Sequence, residues 1–163
     1  MHPGNGMTLH SLTSIWRAER GSALLEGAIV LPIFLTLVCG VYEFGFYLYQ
    51  RQMIAAGIRD AARYLALTEN PNNLTYQVNA RNLAVTGSIT GGTARVQGWS
   101  TDDVTVEVSM VNNPAISSSR AMVQIVTVST HFTDPSLGFL GLLRLSAPVI
   151  DESHQERYVG GSF

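Results

Sequence analysis

The chain has 163 residues, ten basic and twelve acidic, a net charge of −2 and a charged fraction of only 13%. All ten basic residues are arginine, and so few cations spread over a near-neutral chain exclude a nucleic-acid partner, which requires a basic face. The single Cys39 excludes an intrachain disulfide and a cysteine zinc site, and His2, His10, His131 and His154 are too scattered to suggest any other metal.

The missing charge is local. Between Glu26 and Arg51 the only charged residue is Glu43. The uncharged run Gly27 to Tyr42, GAIVLPIFLTLVCGVY, is followed after Glu43 by FGFYLY. A bilayer core takes about 20 apolar residues, so Ala23 to Tyr49 suffices if Glu26 and Glu43 lie near the two interfaces. Tyr42, Tyr47 and Tyr49 then form one aromatic belt. A soluble domain this small rarely buries a helix that is apolar on every side, so the run reads as a membrane helix. Pro32 removes one backbone hydrogen bond and is expected to kink it. Arg17 and Arg20 upstream against Arg51, Arg59 and Arg63 downstream give no orientation by charge counting. Signal-peptidase cleavage fits less well, because Val38-Cys39-Gly40 lacks a small-residue pattern.

From Glu43 to Leu67 the helical character continues but becomes amphipathic. Phe44, Tyr47, Ile54, Ile58, Ala61 and Leu65 form an apolar stripe, with Gln52, Arg59, Asp60 and Arg63 off it. Arg51 falls on the stripe and breaks the pattern. Glu69-Asn70-Pro71-Asn72-Asn73 ends this helix by turn chemistry. Leu74 to Thr86 reads as a second helix on Leu74, Val78, Leu83 and Val85, and Gly87 to Gly92 as a loop.

Beyond the loop the period changes to two. Val104, Val106, Val108 and Met110 alternate with polar residues, a half-buried strand. Met122 to Phe132 is β-rich without steady alternation, which predicts a central strand covered on both faces, or a bulge. Leu143, Leu145, Ala147 and Val149 alternate as an edge strand or strand end at Pro148. Arg95 to Gly98 is a further short strand by this reading. Asn112 to Ser119 is a polar connection. Pro135 to Leu142, PSLGFLGL, reads as a loop that closes the core; assembly or membrane contact is the alternative.

No catalytic motif is present: G-x-S-x-G, H-E-x-x-H and a phosphate-binding glycine loop are all missing. Asp102-Asp103 and Asp151-Glu152 read as solvated loop positions. His131 with Asp134, and His154 with Glu156, lack a third partner. The chain is expected not to be an enzyme and to need no cofactor.

The remaining signal lies at the start of the apolar run. Gly21 precedes it and Glu26 follows five residues later, in Arg20-Gly21-Ser22-Ala23-Leu24-Leu25-Glu26. A carboxylate in a membrane helix costs about 2.5–3.5 kcal/mol at the bilayer centre and less near the interface, which favours a partner cation. A cut after Gly21 would create one in the amino group of Ser22. An interfacial Glu26 facing water is the alternative.

Together with Leu31-Pro32, Glu43-Phe44-Gly45 and Ala61-Ala62-Arg63-Tyr64, this segment resembles the TadE-like family over roughly residues 19–67. These are pilin-like minor components of the Tad (Flp) type IV pilus system. The resemblance implies cleavage between Gly21 and Ser22 by a membrane prepilin peptidase, with a cytoplasmic leader at residues 1–21. It implies a membrane helix at 22–49 in the inner membrane and an extracytoplasmic pilin-like domain at 50–163. The mature chain would have 142 residues and, with eight basic and eleven acidic groups, a charge of −3. The expected fold is α+β: a long N-terminal helix and a second helix packed on a small antiparallel sheet. Implied partners are other pilins, the peptidase, the inner-membrane assembly platform and the lipid bilayer. Glu26 is expected to neutralise the Ser22 amine of a neighbour, and Glu43 to fix depth or register. The other reading of the residues is a single-pass anchored extracytoplasmic binding protein with no pilus role.

Overall fold

The computed structural model describes residues 10–112, 122–134, 141 and 148–160. In chain order these form α1 (His10–Leu67), α2 (Leu74–Thr86), a 3-10 turn (Thr101–Asp103), β1 (Val104–Asn112), β2 (Met122–Thr133) and β3 (Val149–Arg157). The sheet is antiparallel with order β1-β2-β3. The architecture is therefore α+β, as the sequence indicates. Two compact units divide the chain, Met1–Tyr42 and Glu43–Phe163.

In the first unit α1 exposes Leu24, Leu25, Ile29, Leu31, Phe34 and their neighbours on every side. From Leu24 the helix is long and apolar enough to cross a bilayer. It passes through Pro32 without interruption, and Thr36 Oγ1 donates to the Pro32 carbonyl at 2.8 Å.

The second unit is built on the amphipathic half of α1. Ile54, Ile58, Ala61, Ala62 and Leu65 pack with Ala80, Ala84 and Val85 of α2, with Val126, Val128 and Phe132 of β2, and with Val104, Trp99 and Ile150. Small residues set the approach of the two helices. Gly57 is buried where an added Cβ would overlap the Ala84 carbonyl and lie 3.1 Å from the Trp99 ring. Asn73 starts α2 by accepting from Thr75 N–H at 2.9 Å. Gly87 ends it in the left-handed region, φ 79°, with its N–H on the Leu83 carbonyl at 2.9 Å. The carbonyls left at the end of α1 are met from the far end of the chain: Val159 and Gly160 N–H both donate to Ala66 at 3.0 Å, and the Tyr158 hydroxyl donates to Glu69 at 2.6 Å.

Those contacts also orient the sheet. Glu152, near the start of β3, meets Arg51, and Val159, just past its end, meets Ala66. β3 thus runs alongside residues 51–66 of α1 in the same direction. A buried network fixes the chain entering β1: Trp99 Nε1–H donates to Thr130 Oγ1 at 3.0 Å, and that hydroxyl donates to the Asp103 carbonyl at 2.8 Å.

Several expectations need correction. Phe44 is exposed, and the group buried at that turn is Glu43. Leu74 and Val78 of α2 are also exposed, because the close approach at Gly57 selects the alanine face, Ala80 and Ala84. Residues 95–98 form no strand; Arg95 N–H is held by the Val85 carbonyl at 2.7 Å and Val96 is buried in the core. Among the described residues β2 is central but covered on one face only, with Val126, Val128, Thr130 and Phe132 inward and an unbulged register on both sides. The last strand begins at Val149, so Asp151 and Glu152 are strand residues rather than loop. Its single buried residue, Ile150, leaves no apolar alternation to read. Most of the 112–119 connection, the 135–142 loop except Gly141, and the strand expected at 143–147 lie outside the described residues.

Candidate functional site

The residues singled out in the apolar segment lie along one helix. Ser22 and Glu26 are four positions apart in α1, hence one turn apart on one face, and both are exposed. Gly27 and Ala28 follow as the floor of a shallow apolar notch walled by Leu24, Leu31 and Phe34. Pro32 has no N–H, so the Ala28 carbonyl has no i+4 donor within the helix. Small residues at a helix surface allow close approach of another helix, and an unpaired polar group in lipid favours a partner that supplies a donor.

Glu43 begins the second unit. It is 7% exposed, while Phe44 and Gly45 beside it face outward. The Phe44 and Tyr47 rings sit 6.4 Å apart, tilted by 30°. Gln50, two turns beyond Glu43, is 2% exposed and its Oε1 accepts no hydrogen bond among the described residues. Glu43, Gln50 and Ile54 lie on one side of α1, so the buried stripe starts polar and becomes apolar. Sequence reasoning missed Gln50, since a lone amide beside an aromatic belt carries no signal of burial.

Arg51 is explained by the fold. Its Nε lies 2.6 Å from Glu152 Oε1, and that hydrogen bond, then the carboxylate's charge, raises the guanidinium pKa above its ordinary value. The apparent flaw in the stripe is a tie between α1 and β3.

Of the two acid–histidine pairs singled out in the sequence, His154 with Glu156 is present and His131 takes a different acid. His131 Nδ1 sits 2.6 Å from Asp151 Oδ1 across β2 and β3, not beside Asp134, which is buried. His154 Nε2 lies 3.2 Å from Glu156 Oε1 on one strand. Asp102 and Asp103 join His131 and Asp151 around an open polar groove of about 460 Å³. Among the described residues no hydroxyl or thiol is hydrogen-bonded to either imidazole, and no group of three or more His, Cys, Asp or Glu is placed to hold a metal.

The fold and the helix together define an α+β protein with one N-terminal helix able to act as a single-pass anchor. Residues 21–63 match the family model described as TadE-like protein, the segment that carries Ser22, Glu26, Pro32 and Glu43. The match agrees with the resemblance read from the sequence over residues 19–67. No curated protein and no solved structure matches the chain.

Proposed function

We propose that the protein is a minor pilin of the tight-adherence pilus, cut between Gly21 and Ser22 by a prepilin peptidase. Residues 1–21 are the cytoplasmic leader, 22–49 the inner-membrane helix and 50–163 the extracytoplasmic domain. The observation that carries this reading is the TadE-like match starting at Gly21, on a helix whose most apolar stretch is not buried.

In this mechanism the cut turns Ser22 into an α-ammonium group. Glu26 of a neighbouring subunit neutralises it as the two helices slide together. In lipid the attraction between apolar helices is weak, so the charge pair and the Gly27-Ala28 notch select the docked position. Glu43, buried where α1 enters the domain, sets the depth of the helix. The assembly platform and other pilins are the partners, and the bilayer is the medium from which the subunit is drawn.

The test is Glu26→Gln in cells that make the pilus. The substitution keeps shape and removes charge. Pilus number is expected to fall while the protein still accumulates in the membrane and still loses its leader. Unchanged piliation would refute the role of Glu26.

A further inference from the structure

Both outer strands of the sheet have an unpaired edge among the described residues. Such an edge presents a row of free N–H and C=O groups to any strand that can reach it. β1 and β3 each run antiparallel to β2, so they point the same way.

Their edges differ in charge. On the sheet face away from the helices, β1 carries one charged residue, Glu107, and β3 carries Asp151 and Arg157. Asp151 is engaged by His131. Glu107 and Arg157 are exposed, and neither has an ion-pair or hydrogen-bond partner among the described residues. They cannot meet within one copy, because Glu107 is level with Thr127 and Gln155 on the opposite side of the sheet. Among the described residues, one copy thus offers an unpaired anion on one free edge and an unpaired cation on the other.

We propose that β1 of one subunit adds in parallel to β3 of a second copy of this chain, with Glu107 beside Arg157 and Thr105 beside Gln155. The inference extends the anchored-subunit reading above, and the charges decide its polarity. With the same sheet faces turned outward, β1 meets β3 of another copy only in parallel, whereas β1 meets β1 only antiparallel. A join of β1 to β1 brings Glu107 to an edge whose outward-facing charge is another Glu107, and a join of β3 to β3 leaves Glu107 without a partner. The parallel join advances each copy by two residues, roughly 6.6 Å along the strands. The contact is head-to-tail, so each added copy leaves a free edge for the next and the array extends.

The experiment uses the full chain in the membranes of pilus-producing cells, in a Cys39→Ser background. One tagged copy carries Thr105→Cys and a differently tagged copy carries Gln155→Cys, followed by mild oxidation. The expected products are mixed-tag dimers, none from either variant alone, and a ladder of higher species from the double variant. Glu107→Arg should lower the crosslinked fraction about fivefold, and adding Arg157→Glu should restore it.

Dimers from Thr105→Cys alone, disulfides to a different protein only, or no crosslinks between variants with wild-type thermal transitions would each overturn the proposal. Intact mass of the same samples separates it from the pilin reading. A ladder built from chains that keep residues 1–21 refutes the processing and leaves the strand join standing, whereas chains that begin at Ser22 and form no ladder do the reverse.

Discussion

Gly57→Ala tests the packing that positions the domain, because two effects of opposite sign compete at that residue. In a helix interior, alanine is favoured over glycine by about 1 kcal/mol. Gly57 is buried, however, and the new Cβ would overlap the Ala84 carbonyl oxygen and lie 3.1 Å from Trp99 Cη2. A backbone oxygen cannot rotate away as a side chain can. The helices must therefore part by about 1 Å, which loosens the contacts of a close-packed core. Overpacking of this kind costs about 1–3 kcal/mol, and a rigid obstacle argues for the upper end. Subtracting the helix gain leaves a net loss of about 2 kcal/mol, or roughly 8 °C in Tm for the unit Glu43–Phe163.

The assay is thermal or denaturant unfolding of the full chain in detergent. Trp16→Phe in all samples leaves Trp99, which touches the mutated site, as the sole tryptophan reporter. Gly45→Ala is the control, since a Cβ there has nothing within 4 Å, and it should lose no stability. An unchanged or raised Tm for Gly57→Ala would show that the helices do not approach as described.

Other substitutions probe separate links. Asn73→Ala removes the cap of α2 and should lower stability by about 1 kcal/mol in denaturant titration. Thr130→Val leaves the Trp99 indole N–H and the Asp103 carbonyl without that hydroxyl, and a loss of about 2 kcal/mol with altered Trp99 fluorescence is expected. A double-mutant cycle of Arg51→Met and Glu152→Gln should give a favourable coupling that shrinks with added salt. The raised pKa of Arg51 means that its contribution is complete below the ordinary guanidinium pKa and lost only as pH rises through the higher folded value. Stability measured between pH 6 and pH 9 should show no loss traceable to Arg51, whereas a loss there that disappears in Arg51→Met would contradict the pairing.

The elements legible in sequence were those with strong local signals. The end of α1 at Leu67 and both ends of α2 follow from Pro71, Asn73 and Gly87, whose turn and capping chemistry is local. β1 and β2 announced themselves by β-branched residues. β3 did not, because an edge strand reading Asp-Glu-Ser-His-Gln-Glu-Arg takes its shape from pairing with β2 and not from its own pattern. The inward alanine face of α2 was hidden for a related reason. Hydrophobic periodicity weights Leu74 and Val78, while helix approach at Gly57 selects small residues. Arg51 looked like a flaw until its partner, 101 residues away, was in place. At the candidate site Glu26 and Glu43 stood out as the acids bordering an apolar run. The burial of Glu43 and Gln50 depends on tertiary contacts that a single sequence does not display.

The central claim is that this chain works as a processed pilin subunit, and the mass of the mature protein tests it most directly. Protein extracted from membranes of cells with an active prepilin peptidase is predicted to begin at Ser22 and to contain 142 residues. A chain that retains Met1 to Gly21 in those cells, or one cut near Gly40, would contradict it.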